Sequence, residues 1–181
     1  MREKNEMTFR PYCCLAIGFA FINMTGCSTI AKKAIRESKG ADSDLTVISE
    51  SGHVSFSRFG SVEVLPIQSE LRHLVPVSFR STLPSAIKSA MTGRDGALRN
   101  GKGRTLTVQP IATFFLIKGR FKELVGSYSY AACVFVLSED GRELSRVQII
   151  SRSGANHTDL GDLAREMGRS LNEYAAGLSN P

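Results

Sequence analysis

The spacing of hydrophobic and polar positions changes along the chain, and each change marks an element. From Leu45, the runs Thr46-Val47-Ile48 and Val54-Ser55-Phe56-Ser57, split by Ser51-Gly52, predict two short strands. Ser61 to Ile67 predicts a firmer one. Between Val77 and Met91 the period lengthens: Phe79, Leu83, Ile87 and Met91 recur every fourth residue, one apolar face of a helix. Pro84 suits only a first turn, so this helix is expected to start near Ser81 or Thr82 and to close at Gly93. Thr105 to Ile117 returns to alternation, with Leu106, Val108, Pro110, Ala112, Phe114 and Leu116 on one face and Pro110 pointing to an edge or a bulge. Tyr128 to Leu137 is apolar on both sides, as in a central strand. After the tight-turn residues Glu139-Asp140-Gly141-Arg142, Leu144 to Arg152 returns as a third antiparallel strand. Thr158 or Asp159 then caps a helix with Leu160, Leu163, Met167, Leu171, Tyr174 and Leu178 on one face, and Asp162, Arg165, Glu166, Arg169 and Glu173 on the exposed side. The order strand–helix–strand–strand–strand–helix predicts an α/β (α+β) domain in two layers, a mixed sheet of four to five strands with both helices packed on it.

The first 27 residues follow another logic. Arg2, Lys4 and Arg10 precede the apolar run Cys13 to Ile22, and Met24-Thr25-Gly26-Cys27 follows. A basic segment, a short apolar segment and small residues at the exit make a secretory signal. The apolar run, roughly 10–12 residues, is too short for a bilayer core that takes about 20. Met24-Thr25-Gly26-Cys27 resembles the lipobox of bacterial lipoproteins, with Met24 in place of the usual Leu. That resemblance implies cleavage before Cys27 and lipid on its thiol and new amino group. Two acyl chains already anchor stably where one does not. The chain thus divides into a signal peptide over 1–26, a lipidated tether over 27–43 and one periplasmic domain over 44–181. Ser28 follows the cysteine where an Asp would retain the protein; by the enterobacterial sorting pattern this resemblance implies the outer membrane, facing the periplasm.

Composition adds bounds. At 181 residues, 42% hydrophobic and 22% charged, the chain suits one ordinary core. Its net charge is +6; without residues 1–26 it is +5, from 20 basic and 15 acidic residues. Cys13 and Cys14 leave with the signal and Cys27 takes lipid, so Cys133 has no intrachain partner and is expected to pack as a small hydrophobe.

Candidate chemistry is sparse. His53, His73 and His157 lie apart, with no Cys/His cluster at ligand spacing, and neither metal nor cofactor is expected. His157-Thr158-Asp159 sits where a helix begins, and capping accounts for Thr and Asp there. Ser85-Ala86-Ile87-Lys88 spells SxxK without the Ser-Asp-Asn and Lys-Thr-Gly motifs that accompany it in acyl-transfer folds. Nucleic-acid binding is disfavoured by the modest charge and the absence of interleaved basic and aromatic residues. If Phe115, Ile117 and Phe121 stand exposed beside Lys118, Arg120 and Lys122, they form a basic, apolar patch for a partner or a membrane.

The strand start Val62-Glu63-Val64-Leu65-Pro66 and the hairpin Ser138-Glu139-Asp140-Gly141-Arg142-Glu143-Leu144, set in this layout, resemble a group of bacterial lipoproteins. In outline, residues 59–178 are similar to the amino-terminal domain of TolB and to the periplasmic domain of the curli secretion lipoprotein. The resemblance brings no catalytic residue. The expected function, from the anchor and the sparse chemistry together, is a non-enzymatic, lipid-anchored envelope protein serving assembly or protein–protein contact, as a homo-oligomer or an accessory of a secretion or transport complex. The alternative is a binding module for a small apolar or lipidic ligand; an envelope hydrolase has the least support.

Overall fold

A computed structural model describes residues 40–52, 54–69, 74–101, 103–117, 128–154 and 159–177. The architecture is mixed α/β: β1 (Ala41–Glu50), a 3-10 turn (Phe56–Arg58), β2 (Phe59–Val64), β3 (Gln68–Ser69), α1 (Val77–Thr92), β4 (Arg104–Leu116), β5 (Tyr130–Glu139), β6 (Arg142–Ser153) and α2 (Leu160–Ala175). The sheet has six strands, above the four to five expected, in the order β1-β6-β5-β4-β2 with β3 also on β4. The added strand is the two-residue β3, too short to leave a periodic signal.

The expected meander β4-β5-β6 is antiparallel throughout, while β2 and β3 run parallel to β4. Between β5 and β6, Asp140 (φ 48°) and Gly141 (φ 80°) take the left-handed conformations that a tight hairpin requires. β1 pairs with β6 from Ala41↔Ser153 to Glu50↔Ser145. It begins three residues before the expected domain start, and those residues are needed below. The Val54–Ser57 run is not a strand but leads into the 3-10 turn, whose one buried residue, Phe56, packs on Phe59 and Tyr174.

β4 departs from the expected alternation in two ways. It lies inside the sheet although it contains Pro110. The proline falls where β2 has ended, at Val64↔Val108, and β3 has not begun, at Gln68↔Ile111. A missing N–H is tolerated in that gap, and Gln109 Nε2 bridges it by donating to the Pro66 carbonyl at 2.7 Å. A bulge then falls between Ala112 and Phe114, and Thr113 Oγ1 donates to the Ala132 carbonyl at 3.2 Å. One extra residue reverses every later side chain. Phe115 therefore turns into the core and Phe114 out of it, the opposite of the sequence expectation.

α1 also starts earlier than expected, at Val77, which places Pro84 in its interior. Proline there removes one intrahelical hydrogen bond. The helix holds because Phe79, Leu83, Ile87 and Met91 are fully buried, each contributing roughly 1.5–3 kcal/mol. α2 packs on β1 and β6, α1 on β2, and the helices pack on each other. They meet at Gly168, where a Cβ would stand 2.9 Å from the Ala86 backbone, so glycine sets how close the helices come.

Candidate functional site

Cys27, Met24, Thr25 and Gly26 lie outside the described residues, as do Lys118, Arg120, Phe121 and Lys122. Of the expected contact patch, Phe115 is a correction: it is 8% exposed and meets Phe79 edge-on at 5.0 Å. Ile117 is half-buried against the core. Its neighbour Phe114 is the exposed aromatic, at 50%, and lies on the sheet face away from the helices. It shares that face with Ile150, 43% exposed, and half-buried Ile111, Val134 and Val136.

The residues with catalytic spellings have structural work. Asp159 caps α2, its carboxylate accepting from the Gly161 N–H at 2.8 Å; that bond, then Arg165, holds its pKa below the ordinary carboxylate value. Ser85 Oγ donates to the Thr82 carbonyl at 2.8 Å, a helix back-bond. Cys133 is fully buried and free, and burial pushes its thiol up to about 12, far from thiolate chemistry. Among the described residues, no group of three or more His, Cys, Asp or Glu side chains could hold a metal ion. Among the same residues, no helix is long and apolar enough to cross a membrane.

Sequence reasoning missed a polar seam between β1 and α2. Ser43 Oγ donates to Glu166 at 3.3 Å and makes a close contact with Ser170 Oγ. Arg169 pairs with both Glu166 and Glu173, and its pKa is raised, first by its hydrogen bond to Glu166. Glu166, expected on the exposed side of α2, is 7% exposed because β1 extends back over that flank. Further down, Ser145 Oγ and Tyr174 Oη are 2.6 Å apart, and burial raises the Tyr174 pKa.

Two recesses lie at the far end of the sheet from Ala41. One, about 570 Å³, is lined by Glu50, Val54, Phe56, Ala97 and Tyr174 among others. The second, about 610 Å³, is polar and includes Glu139, which Arg58 and Arg104 both contact, at 2.6 and 2.7 Å.

No family model and no curated protein matches the chain. Solved structures share its fold, among them two of one bacterial dodecamer. A single-substitution variant of the PelC dodecamer from Paraburkholderia phytofirmans is 10% identical, covering 74% of this chain and 97% of that one, with a TM-score of 0.54. Another structure of the same dodecamer is 9% identical, covering 74% and 96%, with a TM-score of 0.50.

Proposed function

We propose that this is a lipid-anchored protein of the bacterial cell envelope, held on the outer membrane through Cys27, that works by assembling with copies of itself. It performs no catalysis and serves as an accessory to a larger secretion or transport complex. The observation that carries the assembly reading is the fold shared with two structures of a dodecamer over nearly the whole length of their chains. The Met24-Thr25-Gly26-Cys27 sequence and the apolar run before it support the anchor. The resemblance of residues 59–178 to the TolB amino-terminal domain agrees with a periplasmic setting. The structural duties of Asp159 and Ser85 support the non-enzymatic reading.

Two experiments test this. Palmitate labelling should mark the wild-type protein and lose the band in Cys27→Ser; equal labelling of both ends the anchor reading. Crosslinking in native envelopes should trap multiples of the chain mass, and recovery of monomer alone would overturn self-assembly. A second reading, a binding module for a small apolar ligand, draws on the recess beside Phe56 and Tyr174, whose volume falls within the usual range of ligand sites. Co-purified lipid in native mass spectrometry that disappears in Phe56→Ser would favour it.

A further inference from the structure

The two flanks of the domain carry opposite charge. On one side, β1 and α2 (residues 40–52 and 159–177) hold seven acidic and two basic side chains, a net of −5. On the other, β2, β3 and α1 (residues 59–69 and 74–92) hold two basic side chains, Arg80 and Lys88, and one acidic, Glu63, a net of +1. The fold puts these groups at opposite margins, since β1 and β2 are the outer strands and each helix lies over its own margin.

Side-chain directions follow the same division. α1 turns Ala86 toward α2 and Phe79, Leu83, Ile87 and Met91 toward the core. The flank facing away from α2, read from the helical repeat, is therefore Val77, Arg80, Pro84 and Lys88. Val77 is 78% exposed, the most exposed large hydrophobic among the described residues. On the opposite margin, β1 exposes Val47 and Ile48 between Asp44 and Glu50. A bare strand edge invites uncontrolled pairing, and acidic side chains discourage it with most partners. They do not discourage a basic flank.

We propose that the β1–α2 flank of one copy docks on the α1–β2 flank of the next, in a head-to-tail contact. The inference rests on the self-assembly reading and names the surfaces that carry it. Opposite charges meet across this contact, with Val47 and Ile48 on one surface and Val77 on the other supplying apolar area. A two-fold contact through the acidic flank would instead set like charge against like. Head-to-tail contacts close into a ring when the rotation between copies permits.

The test uses the full chain purified in mild detergent, with mass read by light scattering. One variant, Asp44→Lys with Ile48→Lys, sets two lysines among the acidic groups and takes that flank from −5 to −2. A second, Val77→Glu with Lys88→Glu, takes the other flank from +1 to −2. All four positions are exposed, so both variants should keep the wild-type circular dichroism. Each alone should be monomeric, and mixing the two should restore association. Wild-type association should weaken at least about tenfold between low and half-molar salt, where exposed charges are screened. An assembled wild type with either variant still assembled alone, or with the mixture left monomeric, overturns this docking and leaves self-assembly standing. A monomeric wild type overturns both.

Discussion

On the helix-covered face of the sheet, Leu106, Val108, Phe135, Val147 and Ile149 are fully buried, whereas their neighbours Gln109, Ile111, Val136, Gln148 and Ile150 are half-buried or exposed on the other face. The strands are the same, and the pleat alone sends alternate residues to different surroundings. What differs is what each face meets. One face meets α1 and α2 in a close-packed core; the other carries Phe114 and Ile150 well exposed. Alternation in a sequence therefore identifies residues that share a face without saying which face will be covered. That second fact comes from where the helices dock.

The sharpest way to test this contrast is the adjacent pair Phe114 and Phe115, which the bulge sends to opposite faces. Phe115→Ala removes a ring packed edge-on against Phe79 and should cost about 3–5 kcal/mol, read as a drop in the urea midpoint. If Phe115→Ala were mild and Phe114→Ala severe, the bulge would be misplaced and the original alternation would stand.

Next in size is Glu166, the charge that β1 covers. Glu166→Ala strips partners from Ser43 and Arg169 and should cost about 1–3 kcal/mol. Glu166→Gln keeps an acceptor and should recover part of the loss. Full stability in both variants would mean that β1 does not close over α2 at Ser43.

Removing the α2 cap should have a smaller effect. Asp159→Ala should cost about 1 kcal/mol at neutral pH. Because the folded pKa of Asp159 is lowered, its contribution is present above the unfolded carboxylate pKa and is lost as pH falls through the folded value. Asp159→Asn still caps but has no charge to titrate, so its stability should vary less with acid than the wild type's. A parallel acid profile for the two would assign the pH dependence to other carboxylates.

Much of the covered face was legible from residues. The every-fourth-residue spacing of α1 named its four buried side chains, and the hairpin residues named the β5–β6 turn. Asp159, one of the two candidate caps, is the one that acts. The misses share a cause: each depends on a distant segment. Thr113 looks like any strand residue until β5 is laid beside it. Pro110 left an edge or a bulge open, because the gap between β2 and β3 that admits it is set by residues about forty positions earlier. Glu166 looked solvent-facing because only the pairing of β1 with β6 brings Ser43 over it. The patch expected around Phe115 rested on the alternation that the bulge reverses. The charge division between flanks was present in the composition of each segment but had no meaning until the strand order put those segments at opposite margins.

The smallest expected effect is the most informative about the open face. Phe114→Ser removes a large ring, yet half of that ring already meets solvent, so the loss should stay below about 1 kcal/mol with an unchanged slope in urea. The proposed contact lies at the sheet's two margins and not at Phe114 in β4, so Phe114→Ser should also leave the assembled mass as it is. If the variant were stable and folded but monomeric, the sheet face would be the surface that joins copies. The charge division would then serve some other end, such as keeping the open edge of β1 from pairing at random.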